Sequence, residues 1–138
     1  MKKITVILMF MAVSAFVFVG CKKYDEGPAF SIASKKSRVI NVWKVEKEIE
    51  NGIELPYDPG NDSSSIEFKR DNKFIISGSI SGSIISFEGT WSFGDKKETL
   101  ITTITGFSAD TAVIIRLKSK ELWIKSMDGK NETHYVKK

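Results

Sequence analysis

Nucleophilic, acid–base and metal chemistry rely most on cysteine and histidine, and this chain of 138 residues has one of each, Cys21 and His134. One cysteine closes no intramolecular disulfide, and the pair falls short of a structural zinc site and of a Cys-x-x-Cys-His haem attachment. Acyl transfer by a triad would have to use His134 as its base, and no Gly-x-Ser-x-Gly nucleophile elbow accompanies it. His134 therefore reads as a surface or cross-strand residue. Glycoside hydrolysis needs two facing carboxylates; Glu88 and Asp95 are close in sequence, but Glu88 falls on the outward parity of its strand and Asp95 in a turn. Asp58 and Asp62 offer oxygen ligands without calcium-loop spacing, and turn chemistry accounts for them. These residues point to no enzyme, no metal and no cofactor. The group left with binding potential is apolar: Trp43, Phe68, Phe74, Phe87, Trp91, Leu117 and Ile124.

All seven fall on segments that alternate apolar and polar residues, the period of a half-buried strand. In Val42–Glu50, Trp43, Val45 and Ile49 share one side and Lys44, Glu46 and Glu48 the other. Asn51-Gly52 is a hairpin turn signal, and Ile53 to Leu55 returns briefly before the loop from Pro56 to Ser63. Ile66 and Phe68 form the next alternating pair. Phe74, Ile76, Gly78 and Ile80 share one parity and Ile85, Phe87, Gly89, Trp91 and Phe93 the other, which places a turn or bulge at Ser81-Gly82-Ser83. Thr99–Ile104 follows, and then a segment in which Val113, Ile115 and Leu117 share a face. Leu122 with Ile124, and finally Glu132–Val136, complete eight main strands. Short turns make neighbours antiparallel, and no proline after Pro59 interrupts the ladder. The expected fold is all-β, an eight-stranded antiparallel up-and-down barrel preceded by a short helical segment within Phe30–Ile40, with Phe30, Ala33 and Val39 or Ile40 packed inward. Closure is preferred over a sandwich because it removes both sheet edges. The seven apolar residues point inward, and two readings stand: they fill the interior, or they line a pocket for a small apolar ligand.

The amino terminus is built differently. Met1-Lys2-Lys3 precedes Ile4–Val19, sixteen residues interrupted only by Thr5 and Ser14, short of the about 20 that a spanning helix needs. Phe18-Val19-Gly20-Cys21 resembles a bacterial lipobox, with Phe18 where that pattern usually has leucine. The resemblance implies cleavage between Gly20 and Cys21 and acylation of the Cys21 sulfur and its new amino terminus. Several acyl chains would hold the protein stably on a membrane. The expected organisation is a signal peptide at 1–20, a lipid-anchored tether at 21–37 and a barrel domain at 38–138. Removal of the first twenty of 138 residues leaves 118. The formal charge of +4 divides into +2 in the signal, +3 in Cys21–Ile40 and −1 from Asn41 onward. No basic face is left for nucleic acid; the basic stretch lies against anionic headgroups or is a solvated tether.

Val42-Trp43-Lys44-Val45, Ile66-Glu67-Phe68, Gly89-Thr90-Trp91-Ser92-Phe93 and Leu122-Trp123-Ile124-Lys125 together resemble the lipocalin-like lipoproteins of the Bacteroidota, over most of residues 38 to 138. Asn41 departs from that pattern, which has glycine two residues before the first-strand tryptophan. The resemblance implies an eight-stranded calyx, and function sits in the site rather than in the barrel. Lys22-Lys23-Tyr24-Asp25-Glu26 loosely resembles the surface-export signals of such lipoproteins. Asp110-Thr111-Ala112 resembles their O-glycosylation signal and would place a glycan on Thr111, expected in a loop ahead of a strand. The expectation is an outer-membrane lipoprotein whose partners are the membrane, through Cys21, and a small hydrophobic or amphipathic ligand. The alternative is an envelope interaction module with a filled barrel and a protein partner.

Overall fold

Among the described residues, alternation from Val42 onward produces nine strands: β1 (Val42–Glu50), β2 (Ile53–Glu54), β3 (Ser65–Phe68), β4 (Lys73–Ile80), β5 (Ser83–Phe93), β6 (Thr99–Ile104), β7 (Asp110–Leu117), β8 (Glu121–Ser126) and β9 (Asn131–Lys137). The structure, a computed structural model, describes residues 33–56, 64–80 and 83–138. Gly20, Cys21, Phe30, Asp58, Asp62 and the expected turn at Ser81-Gly82 lie outside the described residues. From β3 to β9 each strand pairs antiparallel with its neighbour in sequence, β1 pairs with β3, and β1 pairs again with β9. That last pairing closes an eight-stranded up-and-down barrel, as the alternation predicts. β2 only extends the end of β1, through a turn in which Asn51 (φ 51°) and Gly52 (φ 81°) both take the left-handed geometry of a tight hairpin.

Two bulges alter the expected facing of side chains. In β1, Val45 opposes Tyr135 and Lys47 opposes His134, so Glu46 is an extra residue in the ladder. Beyond it the parity reverses: Glu48, opposite Thr133, turns to the inner face, and Ile49 turns out. In β7, Ile114 opposes Ile124 and Arg116 opposes Trp123, so Ile115 is the extra residue. Ile114 and Leu117 are therefore both buried inside, where simple alternation had grouped Leu117 with Val113 and Ile115.

One end of the barrel is closed by helix α1 (Lys35–Val39), which begins ahead of residue 38 and so spans the expected boundary between tether and barrel. The Ser34 side chain caps it by accepting the Ser37 amide at 3.1 Å. Val39 is fully buried, and its carbonyl accepts the Trp43 indole N–H at 2.8 Å. The Arg38 guanidinium donates to the Leu117 carbonyl at 2.7 Å, and Lys36 donates to the Asn72 side chain at 2.6 Å. These bonds tie the lid to strand ends on several sides.

Above the lid, the rings of Phe68 and Trp91 meet edge to face at 5.5 Å, with Phe93 on the far side of Trp91 at 5.6 Å. Phe74 lies across β5 at Gly89, where a Cβ would come within 2.3 Å of the Thr103 carbonyl oxygen and 2.5 Å of the Phe74 ring. A side chain at this position has no space on either side. Gly89→Ala is expected to destabilise the barrel by at least ~1–3 kcal/mol. Gly78→Ala, whose Cβ meets only Ser64 at 3.8 Å, should shift stability by within about 0.5 kcal/mol. Urea midpoints of the two variants check this contrast.

Candidate functional site

At the end opposite the lid, the described residues do not fill the interior. A cavity of about 360 Å³ opens above the aromatic layer, within the ~300–1,000 Å³ range of small-molecule sites. Phe68, Phe74, Leu100 and Leu122 form its floor, and Ile66, Ile76, Ile104 and Ile124 its walls. Ala112 adds a small side chain on β7, and the loop after β6 brings Phe107 and Ser108 to the rim. The polar groups are few: Thr102, Ser108, Asp110 and Tyr135.

The seven expected apolar residues divide three ways. Phe68, Phe74 and Ile124 line the cavity. Trp43, Trp91 and Leu117 are buried in the closed half and do not reach it. Their indoles are satisfied by protein carbonyls: Trp43 donates to Val39, and Trp91 donates to Lys69 at 3.1 Å. Phe87 corrects the expectation outright. It has the inward parity, opposite Ile76, but is 49% exposed, because β6 stops at Ile104 opposite Gly89 and no strand continues beside it. The two readings of a filled or an open interior thus each describe one half of the barrel.

Tyr135 and Glu48 are cavity-end residues that the sequence pattern did not single out. Tyr135 opposes Val45 and Leu122 on the inner face. Burial pushes its phenol up to about 12, the nearby carboxylates of Glu48 and Asp110 add to the effect, and a hydrogen bond with Thr133 opposes it. Tyr135 is consequently a neutral hydrogen-bonding group across the physiological range.

His134 faces the other way. Its ring stacks on Trp123 at 3.8 Å between centroids, and its Nε2 lies 2.6 Å from Glu132. Burial raises the Glu132 pKa, but the hydrogen bonds with His134 and Lys125 outweigh it, and the carboxyl ends below its ordinary range. Arg116 lies over the opposite side of Trp123 at 4.3 Å and is bonded to Glu121. The histidine is a packed cross-strand residue on the outer face. Glu88 lies on the outside of β5 and Asp95 in the turn after it, so no facing carboxylate pair forms there. Thr111 lies within β7, opposite Ile101, rather than in the loop expected for it. Among the described residues no three His, Cys, Asp or Glu side chains gather into a metal-holding cluster.

A closed antiparallel barrel, lidded at one end and opening on an apolar cavity at the other, is a calyx. A family model for the lipocalin-like domain matches residues 39–124, and the chain belongs to that family. Among solved structures it is similar to a lipocalin-like protein from Bacteroides uniformis ATCC 8492, with TM-score 0.61 and 14% identity, over 73% of this chain and 99% of that one. No curated protein sequence matches the chain.

The displaced phenol gives a direct test of the cavity wall. The folded protein should show a tyrosinate absorbance step near pH 12, and Tyr135→Phe should remove it. Because the folded pKa lies above the unfolded value of about 10, Tyr135's contribution to stability is complete below that pH and is lost as pH rises through the folded value.

Proposed function

We propose that the protein is a non-enzymatic, membrane-anchored binding module that takes one small hydrophobic or amphipathic molecule into the open half of its barrel. The observation that carries this reading is the cavity of about 360 Å³, walled by isoleucine and phenylalanine with a handful of polar groups toward its mouth. An apolar body is driven in by removal of its surface from water, at roughly 25 cal/mol per Å² buried. The polar groups orient whatever head it carries. The closed half, plugged by Trp43, Trp91 and Leu117, supplies the stability that lets the other half stay empty.

A second reading, an envelope interaction module, draws on β5. Ser83–Glu88 extends past the end of β6, leaving a free strand edge on which Ile84 is 83% exposed and Phe87 half exposed. Such an edge accepts an added strand from a protein partner. A stoichiometric envelope partner bound while the cavity stays empty would favour this reading.

In the proposed reading Cys21 carries the acyl anchor at the outer membrane. The described chain starts at Ala33 beside the lid, so the segment leading from Cys21 joins the barrel at the end opposite the mouth.

Two experiments test these assignments. A neutral apolar fluorophore should bind the soluble barrel, and Ala112→Phe, which puts a ring into the cavity, should weaken it by about tenfold or more with the β-sheet circular dichroism unchanged. Absence of binding to the wild-type barrel would refute the cavity reading. Separately, Cys21→Ala should abolish acyl labelling and move the protein out of the membrane fraction, and retention there would refute the anchor.

A further inference from the structure

The charges around the cavity are of one sign. Asp110 is the sole ionisable carboxylate in its lining. Glu48 stands beyond the lining at the same end of the barrel: the bulge at Glu46 gives it the inward parity, in the cross-strand row Ile124–Thr133–Glu48, and like Asp110 it is exposed. Tyr135, on the inner face opposite Val45 and Leu122, is near enough to both carboxylates for each to push its phenol pKa up. Among the described residues neither forms an ion pair, and no lysine or arginine lines the cavity. The nearest bases on these strands are engaged elsewhere: Lys47 faces out and pairs with Glu54 at 2.5 Å, and Lys125 pairs with Glu132 at 3.1 Å on the outer face. At the rim, Phe107 is 69% exposed and lines the mouth, offering a π-face of the kind that attracts a cation.

Resting on the binding reading above, we propose that the ligand is an amphiphile with a cationic head, a protonated amine or quaternary ammonium, whose apolar tail fills the cavity. The head sits at Glu48 and Asp110, against Phe107 and within reach of the Tyr135 phenol. An anionic head in the same place would meet two carboxylates and no cation, and like charges there repel it. A fatty-acid carboxylate is therefore the poorer ligand, although its tail is identical.

Matched probes separate head from tail. Decanol, decylamine and decanoate, each below its aggregation concentration, are titrated calorimetrically at neutral pH into the folded barrel. Decanol should bind, and decylamine should bind about tenfold or more tighter than decanoate. In the Glu48→Gln/Asp110→Asn double variant this preference should shrink to within about threefold, with decanol affinity retained. If decanol binds while decanoate matches decylamine, the head-group assignment is overturned and the cavity reading survives. A preference unchanged in a folded double variant overturns it as well. If none of the three binds the wild-type barrel, the cavity reading fails and the head-group assignment with it.

Discussion

The ladder between β1 and β9 makes this sheet a barrel, and every other feature depends on it. It runs from Trp43 opposite Lys137 to Glu50 opposite Asn131, and without it both strands would be open edges. The same strand carries the two functional extremes of the molecule. At one end Trp43, bonded to the carbonyl of Val39, plugs the closed half and fixes the lid. At the other, past the bulge at Glu46, Glu48 faces the open half. A regular β1 would have placed Glu48 on the outside and Ile49 within. One inserted residue thus converts an apolar mouth into an acidic one while keeping the closing ladder intact.

Half-filling trades packing stability for an empty cavity. The closed half uses large side chains that reach backbone carbonyls: two indoles each donate to one, and Arg38 donates through Nη1 to Leu117 while its Nε is buried without a partner among the described residues. The open half uses branched aliphatics at its walls and small residues such as Ala112 and Thr102 where larger ones would meet in the middle. An eight-stranded barrel is narrow enough for side chains to fill it completely, so the empty space reflects the choice of residues more than the architecture. Any site built this way gives up packing that a filled core would have used.

Most of the fold was legible in the residues because alternation, Asn51-Gly52 and the run without proline all report on local geometry. Trp43, Phe68, Phe74, Trp91 and Leu117 were readable as core for the same reason. The acidic side of the site was not. Glu48 was hidden by the bulge at Glu46, as Ile114 was by the bulge at Ile115, since the extra residue reverses parity with no signature in residue type. Phe87 was misplaced because alternation reports facing and not how far the neighbouring strand extends. Tyr135 does follow the alternation of β9. Its role emerges only from neighbours contributed by β1 and β7, which lie far from it in sequence.

The outer face explains how the inner one keeps its shape. Arg116, Trp123, His134 and Lys47 oppose one another in turn across β7, β8, β9 and β1. The first three stack, and Glu121, Glu132 and Glu54 tie charges on this surface to their partners. Next to that row, β8, β9 and β1 turn Ile124, Tyr135 and Glu48 to the inner face, the first two lining the cavity. Adjacent residues of a strand point to opposite faces of a shared backbone, so fixing the outer row restricts the backbone that carries the inner one. Charge is separated along the same lines: Glu121, Glu132 and Glu54 on this outer surface are matched by arginine, lysine and histidine, and Glu48 and Asp110 have no such partners among the described residues. The single histidine packs flat on Trp123 and bonds to Glu132, which holds β8 and β9 together behind the cavity wall.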